Sequence, residues 1–174
     1  MKTHMLFIAA ISAAAVITSS ADAHITLENR QATPGSYYKA VFAVPHGCAG
    51  SPTVKIRVQI PDGVISVKPM PKPGWSVETV RAKYSTSYEL HGATITEGVR
   101  EVTWSGGKLA DDNYDEFVLA TFLTGSLKPN TTLYFPVVQE CEQGASRWID
   151  IPQEGKSAHD TKSPAPGVKL MPKP

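Results

Sequence analysis

The 174-residue chain is poor in the signatures that usually assign chemistry. It has no CxxC pair, no HExxH helix motif, no glycine-rich phosphate loop and no GxSxG turn, so the usual zinc, nucleotide and serine-hydrolase readings have no anchor. Neither charge sign is in excess: 17 Lys and Arg against 16 Asp and Glu leave a formal +1. With no basic cluster, that balance argues against a nucleic-acid binder. No stretch keeps a 3.6-residue apolar period, so helices are not expected. No internal repeat is visible, and beyond the first residues no apolar run is long enough to span a membrane. Only two cysteines occur, Cys48 and Cys141.

What is present begins with a secretory pattern. Lys2 supplies a short positive region, an apolar run extends from Met5 to Ile17, and Ala21-Asp22-Ala23 fits a signal-peptidase site. The run falls short of the roughly 20 residues of a transmembrane helix, and no cysteine near the cleavage point supports a lipid anchor. The expectation is a signal peptide over 1–23 and a mature periplasmic or secreted protein starting at His24. In such an oxidising setting a lone cysteine pair is expected to bond, closing a loop of roughly 90 residues worth about 4–5 kcal/mol in the chain-entropy model. A thiolate metal site is the competing reading.

The body reads as strand throughout. In "TVKIRVQI" Val54, Ile56, Val58 and Ile60 alternate with Lys55, Arg57 and Gln59, the period of a half-buried strand. Further candidates rich in β-branched and aromatic residues are "SYYKAVFAVP", "GWSVETVRA", "VREVTWSG", "DEFVLATFLTG", "TTLYFPVVQEC" and "RWIDIP". Turns such as Pro61-Asp62-Gly63 and Lys128-Pro129-Asn130 separate them. Seven or more short strands in one domain predict an all-β, immunoglobulin-like two-sheet sandwich over 24–152. The polar, proline-rich end, 153–174, is expected to be an extended strap or a tail rather than a strand. In "TLYFPVVQEC" Cys141 shares a phase with Leu133, Phe135 and Val137, which points it inward if the strand is regular.

A free N-terminal histidine offers its α-amine and its imidazole Nδ1 to one metal. Nitrogen donors in a tetragonal plane suit Cu(II), which also tops the divalent affinity order. The alternative is that His24 merely follows a cleavage site. His46, in "VPHGCAG", could join Cys48 at a soft metal, but two ligands in one loop are an incomplete set. His91 reads as a surface turn and His159 as part of the polar end. The acids of "ADDNYDEF" lack the alternating pattern of a calcium loop and read as a solvated turn. Trp148 is either a core anchor or a ring set over a cation.

Taken together, His24 after the signal, "PGW" at Pro73–Trp75, "VTWSGG" at Val102–Gly107, "YDEF" at Tyr114–Phe117, "RW" at Arg147-Trp148 and "SPAPGV" at Ser163–Val168 resemble the YcnI-like copper-binding domain family of exported bacterial proteins. The resemblance implies an immunoglobulin-like sandwich that holds Cu(II) through one N-terminal histidine, with an acidic ligand and a neighbouring tryptophan. His24 matches the histidine and Trp148 the tryptophan. The family's glutamate falls near Tyr38, so Tyr38, Glu140, Glu142, His46 or water is left as the third ligand. The cysteine pair departs from the family pattern. The function implied is copper homeostasis or delivery, with copper-handling proteins of the cell envelope as partners and no enzymatic step. Two rivals are a copper-dependent redox enzyme resembling lytic polysaccharide monooxygenases, for which His46 is the only candidate second histidine, and a metal-free interaction module.

Overall fold

The computed structural model describes residues 24–153 and 161–173; the expected signal peptide and His159 lie outside them. Among the described residues the regular structure is all strand, as the period-two patterning requires.

One sheet runs in the order β1 (Thr26–Leu27), β3 (Ser36–Val44), β8 (Asp115–Leu123), β5 (Val64–Pro69). The second runs β11 (Ala145–Trp148), β10 (Val137–Cys141), β4 (Thr53–Gln59), β7 (Ala93–Leu109), β6 (Ser76–Leu90). Their inner faces form one core that includes Phe42, Phe117 and Leu119 from the first sheet and Ile56, Val58, Val102, Trp104 and Val137 from the second. At 25 cal/mol per Å2 each such side chain contributes about 1.5–3 kcal/mol on burial. This is the two-sheet sandwich expected from the sequence.

Three features were not expected. A small third sheet, β2 (Gln31–Ala32), β12 (Gly167–Leu170) and β9 (Thr132–Tyr134), closes one flank. Its middle strand comes from the proline-rich end, so that end is not simply a strap or tail and the sandwich does not stop at residue 152. Val168 and Leu170 alternate with Gly167 and Lys169 and bury fully, which is enough to make four residues a strand despite the flanking prolines.

Secondly, "TTLYFPVVQEC" is not one strand. It breaks at Phe135-Pro136 into β9 and β10, which belong to different sheets; Pro136 has no N–H for a continuous ladder. Cys141 still points inward, 8% exposed, because the phase resumes after the break.

Thirdly, β6 and β7 form a hairpin much longer than "GWSVETVRA" and "VREVTWSG" suggest. Register shifts at Val80/Arg81 and Lys83/Tyr88 bend it. Its far half carries Tyr84 and Tyr88 into a second small core with Ile65 and Phe122 of the first sheet.

Candidate metal site at the sandwich edge

β1 and β11 are the edge strands of their sheets, and they meet on one side of the sandwich. β1 pairs with the end of β3, Thr26 opposite Ala43, which carries His24 to the level where β3 gives way to the "PHGC" loop. β11 pairs with β10, Trp148 opposite Val137. The result is that the His24 and Trp148 rings lie edge to face, centroids 5.3 Å apart with an interplanar angle of 86°. Trp148 is buried and His24 is half-buried. The two residues singled out from sequence are therefore neighbours.

The proposed third ligands do not gather there. Tyr38 is five residues along β3 from Ala43, roughly 17 Å at strand rise. Tyr38 is buried, and its hydroxyl donates to the Asn29 carbonyl at 2.5 Å. Burial pushes its pKa up from the ordinary tyrosine value, which opposes the phenolate a metal would need. Glu140 sits between the buried Gln139 and Cys141, so strand alternation turns it to the outer face; Lys55 at 3.0 Å and Arg57 at 3.2 Å hold it there. Glu142 lies beyond the register shift that follows Glu140 and pairs with Lys108 at 2.7 Å. His46 is at the correct end of the sandwich, with Nδ1 2.5 Å from the Gly47 carbonyl oxygen. Among the described residues no three His, Cys, Asp or Glu side chains converge as a metal cluster.

Cys48 and Cys141 form a disulfide with Cα atoms 6.0 Å apart, which ties the "HGC" loop to β10. Between this bridge and Trp148 sits Gln139, which sequence reading passed over. Its side chain is fully buried. Nε2 donates to the His46 carbonyl at 2.7 Å and to Thr53 Oγ1 at 2.8 Å, and Oε1 accepts the Trp148 indole N–H at 3.0 Å. The available signal was a polar residue in the inward phase of "VVQEC". Asp111 was also passed over as a site residue: its carboxylate accepts the Gly47 N–H at 3.0 Å, which brings the "ADDN" turn beside the same loop.

A two-sheet immunoglobulin-like domain with an edge histidine–tryptophan pair is the class these observations define. Residues 24–170 match the domain of unknown function DUF1775, and the chain belongs to that family. It is the family to which the YcnI-like resemblance points. A solved structure, an uncharacterised protein from Nocardia farcinica described as having an immunoglobulin-like fold, aligns over 85% of this chain and 98% of its own at 23% identity, with a TM-score of 0.62. At that identity the likeness concerns the fold. Among proteins of curated function, none matches the chain.

Proposed function

We propose that this is an exported copper-binding protein that holds Cu(II) at a processed N-terminus and serves copper homeostasis or delivery rather than catalysis. The observation that carries the reading is the edge-to-face contact of His24 with Trp148. Cleavage after Ala23 would convert the His24 backbone amide nitrogen into an amine, which donates a lone pair as an amide does not. The α-amine and Nδ1 would then supply two equatorial nitrogens, while the indole offers a π-face to the cation. With Tyr38, Glu140 and Glu142 engaged elsewhere, the remaining positions fall to water, to a partner's ligand, or to His46 on exchange of its present contact with the Gly47 carbonyl. A site with few protein ligands suits a metal that must be passed on.

The test begins with the intact mass of secreted protein, expected to start at His24. Cu(II) titration of that form should be stoichiometric and should quench Trp148 fluorescence. Protein carrying one extra Met before His24 should bind far more weakly, and equal affinity of the two forms would refute the site. Trp148→Phe separates a role at the metal from simple packing. The former changes the Cu(II) spectrum, affinity or reduction behaviour. The latter lowers stability and leaves all three unaltered in the folded protein.

A further inference from the structure

We infer that Gln139 is the positioning residue of the His24–Trp148 pair, fixing the Trp148 indole against His24 and tying it to the disulfide-bridged loop. The inference deepens the copper reading, but its structural part stands without metal.

Trp148 ends β11, the edge strand of its sheet among the described residues. Trp148 is buried in the main core although it sits on an edge strand, so its indole N–H needs a partner inside the protein. The hydrogen bond from Nε1 to Gln139 Oε1, 3.0 Å, satisfies that buried donor and sets the orientation of the ring within its pocket, since a tilted indole would leave the N–H unpaired. The Gln139 amide is itself fixed in one orientation. Nε2 gives one proton to the His46 carbonyl and the other to Thr53 Oγ1, both acceptors in this arrangement. Reversal would set its oxygen against the His46 carbonyl oxygen and its N–H2 against the indole N–H.

The same residue is wired to the bridge. The Gln139 carbonyl oxygen lies 3.9 Å from Cys48 Sγ. Thr53 Oγ1, while accepting from Gln139, can donate toward Cys141 Sγ at 3.8 Å. Through its side-chain amide and its backbone carbonyl, Gln139 thus joins the Trp148 ring, the backbone of the loop beside His24 and the surroundings of both sulfurs. Networks of this type are rigid when every member is satisfied.

The experiment uses protein beginning at His24 and compares wild type, Gln139→Met and Gln139→Glu, first metal-free. Met keeps the length and loses every hydrogen bond; Glu keeps an acceptor for the indole and loses the amide donors. The NMR readouts are the Trp148 indole N–H, its solvent exchange, and the His24 ring protons, which lie in the Trp148 ring current. Gln139→Met should shift the indole N–H and the His24 ring protons and accelerate exchange, with Gln139→Glu nearer wild type. Unmoved His24 protons in Gln139→Met overturn the inference, as does equal displacement by both variants, which would report general loosening. Should Gln139→Met not fold, the Glu variant decides alone: a retained indole N–H bond with unshifted His24 protons supports positioning, and its loss overturns it. With Cu(II), Gln139→Met should weaken binding roughly three- to tenfold and alter Trp148 quenching. Wild type that binds no Cu(II) while the metal-free shifts appear would refute the copper reading and leave the positioning role intact.

Discussion

At the level of single residues, the structure sets His24 and Trp148, both singled out from sequence, side by side, and finds Tyr38, Glu140 and Glu142 engaged with other groups. His24 and Trp148 are legible because each lies in an informative place, one after a cleavage pattern and the other in the short "RW" strand that the family resemblance marks. A third ligand is not legible because its identity depends on which face a strand presents and on which cations stand opposite. Glu140 shows this: the alternation of "VVQEC" turns it outward, and Lys55 and Arg57 on the neighbouring strand then pair with it. Tyr38 illustrates a second cause, since its hydroxyl is taken by a backbone carbonyl nine residues away. A pH consequence belongs to this residue. Its folded pKa is raised by burial, so the associated stability is fully present below the unfolded tyrosine value, about 10, and is lost as pH climbs toward the folded one. In an alkaline absorbance titration Tyr38 should ionise only with unfolding, and Tyr38→Phe should remove one tyrosine from that late step.

Among the elements, period-two alternation located most long strands, and turn residues separated them. Two-residue strands such as β1 and β2 carry no period and could not be found that way. The β6–β7 hairpin was underestimated because its far half is mostly exposed and has too few apolar residues to alternate. Its placement rests on a close approach at Gly98, where an added Cβ would overlap the Tyr84 ring and hydroxyl. Tyr84 in turn packs edge to face on Tyr88 at 5.3 Å, and the Tyr88 hydroxyl accepts the Gly63 N–H at 3.0 Å. Gly98→Ala should therefore cost about 1–3 kcal/mol, the usual penalty of overpacking. Urea unfolding would measure it, and Tyr84→Phe in the Gly98→Ala background should recover part of the loss. A neutral Gly98→Ala would mean that the hairpin tip is not held by this contact.

For the whole molecule, the disulfide is the longest covalent tie, joining residues 93 apart. Cys48→Ala with Cys141→Ala should lower stability by about 4–5 kcal/mol if the chain-entropy account holds, read as a reduced urea midpoint. Because Gln139 contacts both sulfurs' surroundings, the Trp148 emission maximum should shift in the same protein before unfolding. A large stability loss with unchanged emission would separate the bridge from the Trp148 environment.

β2 lies beside β12, and His24 beside Trp148, so the two ends of the domain are each other's partners. Synthesis delivers these ends at opposite times. The first strands of the domain must wait, unpaired on that side, until nearly all of the chain has emerged. Non-local pairing of this kind is slow to form. The histidine is the first of the pair to exist and the last to find its setting. A nascent chain would thus carry a bare histidine without its tryptophan neighbour, and the paired arrangement would itself report that folding is complete.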